Sequence, residues 1–281
     1  MNNIIETLSY YFSFSFVAYA FIVAILIAIC ASLLGATLVL KRYSYIGDGL
    51  SHIAFGAMAI ALVLDIADVN YLVFPLTALA AVLLLKIGNN RKINGDAVIA
   101  MMSVGSLAYG YLLLNIFPTS ASLVGDVHST LFGATSILTL SQEDVITSAV
   151  LATIVLAIFI LFYNKIFAIT FDENFSQATG IKVGNYNLLI AITIAAVIVT
   201  AMNLVGALLV SALIIFPALS SMRMFGTFKH VVTSSVVIAI ICSSVGLVVS
   251  ILASTPVGAT MVIANIIVFI IACFIGRLLK K

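Results

Sequence analysis

Tryptophan is absent from the 281 residues, proline occurs 4 times, cysteine and histidine 3 times each, and charged residues make up only 8% of the chain. Each scarcity excludes something. Cys30, Cys242 and Cys273 lie inside apolar runs with no CxxC spacing, which argues against a disulfide framework or a thiolate metal site and leaves them as small packing residues. The net charge of +2 is too slight to suggest nucleic acid as a partner. No GxxxxGK[ST] phosphate loop, HExxH or GxSxG occurs, so a nucleotide site of that kind and the corresponding hydrolases have no motif here. With 10 acidic residues and 3 histidines, few catalytic constellations can be assembled. The chain reads as a conduit, not an enzyme.

What is abundant is apolar surface: 64% of the residues are hydrophobic and the mean hydropathy is +1.31. A soluble domain lacks the polar residues to cover such a surface, so the composition is that of an integral membrane protein. The apolar runs are continuous and do not alternate, which favours spanning helices of about 20 residues over a β-barrel. Nine spans are expected, at 16–40, 46–64, 71–88, 96–117, 144–169, 187–203, 205–222, 230–253 and 256–276. All 12 Lys and Arg residues fall at or after the end of an odd-numbered span and before the next span begins. Glu6, Asp65, Asp68, Asp126, Glu143 and Asp144 fall on the opposite side. The positive-inside rule then places the N-terminus outside and the C-terminus in the cytoplasm. The N-terminal stretch has no early Lys or Arg, unlike a signal peptide, and reads as a short amphipathic lead-in. No linker or low-complexity tract divides the chain, so residues 1–281 are expected to form one membrane domain.

The junction "MNLVGALL" leaves almost no loop between the sixth and seventh spans, which suggests a break within the membrane at Gly206. Two connections are longer and more polar than turns: 118–144, without Lys or Arg, and 164–187, with charges of both signs. In the second, Asp172 and Glu173 open a short helix that Gly180 can end. A polar helix outside the membrane is expected to pack on a cytoplasmic partner.

Asp48 and His52 are four residues apart at the start of the second span, so a carboxylate and an imidazole share one helix face. Both are good ligands for zinc, and oxygen also suits manganese. A closed zinc site uses four ligands, which two copies of the pair around a dyad would supply. Spacing alone leaves a second reading open, in which Asp48 caps the helix and His52 bonds a neighbour. Asp126 and His128, two apart in the outer connection, do not share a helix face and read chiefly as a solvated pair, with a weaker role in admitting cations. His230, beside Lys229, reads as interfacial.

The stretch "LLGATLVLKRYSYIGDGLSHIAFGAMAIAL" resembles the G-x-x-(apolar)-R-R-x-S-L-x-x-D-x-L-S-H-x-x-(small)-G pattern of the membrane permeases of zinc, manganese and iron ABC importers (ABC-3 type). The likeness continues through "STLFGATSILTLS", "TFDENFSQATGIKVGNYNLL", "VGALLVSALIIFPALSS" and "STPVGATMVIAN", in order along nearly the whole chain. The departures, Tyr45 for Leu and a more polar "FPALSSMRM", do not touch the candidate ligands.

The resemblance implies an all-α ABC-importer permease fold with eight or nine transmembrane helices, multi-pass in the bacterial cytoplasmic membrane. It implies a homodimer on two cytoplasmic ATP-binding subunits that hydrolyse ATP, fed by an extracytoplasmic metal-binding protein. The chain itself would be no enzyme and hold no resident cofactor, the metal being cargo, with zinc favoured and manganese next. Asp48 and His52 match the family's intramembrane metal pair. Phe171 to Val183 matches its ATPase-coupling helix, with Phe171, Asp172, Glu173, Ala178 and Gly180 as the residues concerned. The alternative is a self-contained proton- or sodium-coupled metal transporter, which calls for several intramembrane acids and an inverted repeat.

Overall fold

The computed structural model describes residue 6 and residues 10–88, 95–117 and 140–279, apart from the side chains of Ile87, Asp96, Asn203 and Leu279 and the surroundings of Gly88. Among the described residues every regular element is helical. In chain order they are α1 (Ser15–Leu40), α2 (Ile46–Val63), α3 (Asn70–Gly88), α4 (Gly95–Ile116), α5 (Gln142–Leu161), α6 (Tyr163–Phe171), α7 (Glu173–Ala178), α8 (Val183–Val205), α9 (Ala207–Met224), α10 (Phe228–Ala253) and α11 (Val257–Leu279).

Eight of these are long and apolar enough to cross a membrane: all but α3, α6 and α7. The apolar stretch of α3, Asn70–Lys86, is shorter, and the helix contains Pro75. The expectation of eight to nine spans therefore holds, with α3 as the borderline member. The chain is a multi-pass membrane protein.

Burial separates centre from rim. In α1, α2 and α9 between 61% and 67% of the spanning window is buried, whereas in α4, α5 and α11 the share is 22%. Apolar on every side, α1 has the pattern of a core helix and packs against α10, α9 and α5. Ile27 and Leu38 of α1 meet Ile198 of α8 and Leu213 of α9 in this core. The rim helices instead present Ile160 and Leu161, or Ile267 and Phe274, outward, as helices facing hydrocarbon do.

Two boundaries carry information. The expected fifth span, 144–169, ends early: α5 stops at Leu161, and Phe162 (φ −107°, ψ 13°) turns the chain into the separate helix α6. Tyr163, Asn164 and Lys165 supply the polar groups of that turn, while Ile166, Ile169 and Thr170 are buried on the inner side of α6. The expected break at Gly206 is present, and a single residue separates α8 from α9. Its φ of +91° lies where side chains bearing a Cβ are strained, so glycine is required there. Gly206 N–H donates to the Met202 carbonyl and its own carbonyl accepts from Val210 N–H, so it belongs to both helices.

Candidate metal site and short polar helix

The helix that carries Asp48 and His52 starts without a side-chain cap from its N-cap residue. Tyr45 occupies the capping position of α2 and makes no side-chain capping hydrogen bond. Asp48 stands in the first turn, where the unpaired amides favour negative charge, yet its carboxylate bonds none of them. The capping role left open by the sequence is not the one it plays. Small residues hold α2 close to its neighbours. A Cβ at Gly56, one turn beyond His52, would lie 2.9 Å from the Ser106 carbonyl oxygen of α4.

Asp48 Oδ1 lies 3.6 Å from His52 Nε2, with the aspartate side chain 49% exposed and the histidine 20%. That separation is too long for a hydrogen bond. It is close to the spacing set by one ion: two metal–ligand bonds of about 2.1 Å at a tetrahedral angle hold their donors about 3.4 Å apart. The other ring nitrogen, Nδ1, is buried and has no hydrogen-bond partner among the described residues. A buried imidazole nitrogen without a hydrogen-bond partner is unusual in a folded interior. The pair is a carboxylate and an imidazole converging on one point, a donor set suited to a divalent transition metal. No group of three or more His, Cys, Asp or Glu residues forms a metal cluster among the described residues.

Asp126 and His128 lie outside the described residues. His230 is exposed at the start of α10, its Nδ1 is 2.6 Å from Thr227 Oγ1, and its ring stacks on Phe225.

The short polar helix forms as its residues suggest. Asp172 caps α7, its Oδ1 accepting from Phe175 N–H at 2.9 Å. Gly180 (φ +87°) closes it, and Ile181 N–H reaches back to the Ser176 carbonyl. Phe171 and Phe175 are 60% and 65% exposed on this helix and its approach, although neither belongs to a spanning segment. Ala178 and Gly180 are exposed beside them.

Glu173 is placed differently. Its Oε1 accepts from Lys41 Nζ at 2.7 Å and from Asn187 Nδ2 at 3.2 Å, while Lys41 also donates to Asn187 Oδ1 at 2.9 Å. The triad ties α7 to the end of α1 and the start of α8. Lys41 keeps 8% of its side chain exposed. Burial pushes its ammonium below the usual 10.5, and the hydrogen bond and charge of Glu173 pull it only part of the way back. Burial, with a smaller contribution from the Glu173 charge, raises the Tyr43 phenol above its usual 10.0. Reading the sequence singled out Glu173 but not Lys41 or Asn187. Their partners are 132 and 146 residues away along the chain, and the only hint was that Lys41 follows an apolar span directly.

The chain is similar along most of its length to metal-import permeases. It is 29% identical over 273 residues to the manganese import system permease protein ScaB of Streptococcus gordonii, covering 95% of each chain. It is 25% identical over 241 residues to the high-affinity zinc uptake system membrane protein ZnuB of Buchnera aphidicola, covering 86% of this chain and 90% of that one. Among solved structures it resembles PsaBC from Streptococcus pneumoniae in complex with Fab, with a TM-score of 0.84, 27% identity and 99% of both chains covered. The model of the ABC 3 transport family matches residues 13–276, and the chain is accordingly a membrane permease of the ABC 3 transport family.

Proposed function

We propose that this permease moves a divalent transition-metal ion across the bacterial cytoplasmic membrane. Asp48 and His52 serve as the protein's ligands to the ion in transit, and a second copy of the chain supplies the same pair. The observation that carries the reading is the 3.6 Å approach of Asp48 Oδ1 to His52 Nε2 on one face, with His52 Nδ1 buried and without a hydrogen-bond partner among the described residues. Two donors per protomer and four per dimer give a site that is complete when the protomers close and weak when they part, which suits an ion that must leave. Zinc and manganese both fit an oxygen–nitrogen donor set. Relatives named for each are similar to this chain at 29% and 25% identity. The zinc preference read from "TFDE" and "GALLVSALIIFPA" remains part of the proposal.

Energy comes from ATP hydrolysed by cytoplasmic subunits, since this chain carries no phosphate loop. Those subunits dock on α7, where exposed Phe171 and Phe175 await an apolar partner, and an extracytoplasmic metal-binding protein delivers the ion. Membership of an ABC family favours this arrangement over a self-contained ion-coupled transporter. The charge parity of the loops supports an N-terminus outside and a C-terminus inside.

Asp48→Asn tests the site, because it keeps the shape of the side chain and removes its charge. Metal uptake by cells carrying the variant should fall to background while the amount of chain in the membrane stays unchanged. Uptake of zinc and manganese at the normal rate by Asp48→Asn would refute the metal role of the carboxylate.

A further inference from the structure

A second cluster of charge lies where the C-terminal ends of α9 and α11 meet. Arg223 stands in the last turn of α9 and Arg277 in the last turn of α11. The two helices meet backbone to backbone there: any side chain at Gly276 would collide with the carbonyl oxygen of Arg223. That close approach opens a cavity of about 300 Å³ lined by Arg223, Cys273, Gly276 and Arg277. Neither guanidinium has an ion pair or hydrogen bond among the described residues. Two permanent cations therefore border one cavity with no anion to offset them among the described residues, and a guanidinium fork matches phosphate oxygens in charge and geometry.

The surroundings point to the source of the phosphate. Ile263, Ile267, Ile270, Phe274 and Leu278 of α11 are 57%, 52%, 49%, 61% and 73% exposed. At spacings of three and four they form one stripe along the helix, which ends beside Arg277. Apolar side chains in that number on a spanning helix face hydrocarbon, so the cavity lies where a lipid's headgroup meets its chains. Basic pockets between spanning helices at this depth are headgroup sites.

We propose that this cavity binds the phosphate of an anionic membrane lipid, held between Arg223 and Arg277, with an acyl chain lying on the α11 stripe. The inference is independent of the metal reading. Cys273 provides the probe, since Cys30 and Cys242 are buried and Cys273 is partly exposed within the cavity.

The full-length chain is placed in bilayers of phosphatidylcholine, with or without phosphatidylglycerol of matched chains, and alkylation of Cys273 by an uncharged maleimide is timed. Phosphatidylglycerol should slow the reaction several-fold, and inorganic phosphate without it should not. Native mass spectrometry of the purified chain should show phosphatidylglycerol retained over phosphatidylcholine by roughly 30-fold, the product of about fivefold for each basic residue near the surface. Arg223→Gln/Arg277→Gln should abolish that preference, and Arg223→Lys/Arg277→Lys should keep most of it. If the glutamine variant does not fold, the thiol rates of the unmodified chain decide alone. Equal rates in the two bilayers, protection by inorganic phosphate alone, or shielding of Cys273 only when another protein is bound would each overturn the proposal.

Discussion

Replacing Glu173 by glutamine leaves the Lys41 ammonium charged in a site where 8% of its side chain meets solvent. At 2.7 Å the pair attracts by about 6 kcal/mol at an effective dielectric of about 20. Desolvation of the lysine opposes this and is the larger influence on its proton affinity, since burial lowers its pKa in spite of Glu173. The pair therefore stabilises the fold less than its short distance suggests, while breaking it from the acidic side is costly. Removing one partner of a buried pair costs about 3–5 kcal/mol. Glu173 is 29% exposed, so water relieves part of the loss and about 2–3 kcal/mol is expected. Lys41→Met removes the buried charge and keeps the apolar stem, and Glu173 retains the Asn187 Nδ2 donor, so its cost should stay below about 1 kcal/mol. The double variant should resemble Lys41→Met.

Thermal unfolding of the purified chain in detergent reads these differences: Glu173→Gln should melt about 5 °C lower and Lys41→Met within about 2 °C of the parent. The parent should also gain stability relative to Lys41→Met as pH rises. A lysine whose folded pKa is depressed binds its proton less well than the unfolded chain does, so its penalty is full at neutral pH. That penalty is relieved as pH climbs through the folded value towards 10.5. Equal losses in the two single variants, or a parent that gains nothing at high pH, would refute the reasoning.

Gly206→Ala should lower the melting temperature and cost about 1–2 kcal/mol, because alanine is strained at φ +91°. Asp172→Ala should cost about 1 kcal/mol in the same measurement through loss of the α7 cap, and should reduce metal-stimulated ATP hydrolysis by the assembled transporter if α7 is the docking helix. In a Cys273→Ser background, cysteines at Ser120 and Asn174 should label from opposite faces of intact cells. Labelling from the same face would overturn the nine-span orientation.

Features that depend on near neighbours could be read from the chain alone. Asp48 and His52 could be paired because a helix brings every fourth residue onto one face, and Gly206 and Gly180 because glycine marks places where the backbone leaves ordinary torsions. The spanning helices were legible for a similar reason, since they need only the order and length of apolar runs. The turn at Phe162 was hidden because an apolar residue there reads as more helix. Asp144 was legible only as an outer acid, whereas its carboxylate closes a capping box with Ser141 at 2.9 and 2.8 Å. The Lys41–Glu173–Asn187 triad and the Arg223/Arg277 cavity need helices that are distant in sequence to pack, and no spacing rule reports such contacts.

The one-residue join between α8 and α9 also sets a lever. Two long rods meet at Gly206, and α9, with 18 residues, extends about 27 Å from it. A change of about 10° in one Gly206 torsion would swing the far end of α9 by about 5 Å, without lengthening any loop. The unpaired amides and carbonyls that a helix break creates already sit at the join. Bending there exposes few new ones, whereas bending elsewhere along either rod would have to break ladder hydrogen bonds. A rotation of α9 against α8 at this join would need only a single pair of backbone angles to change.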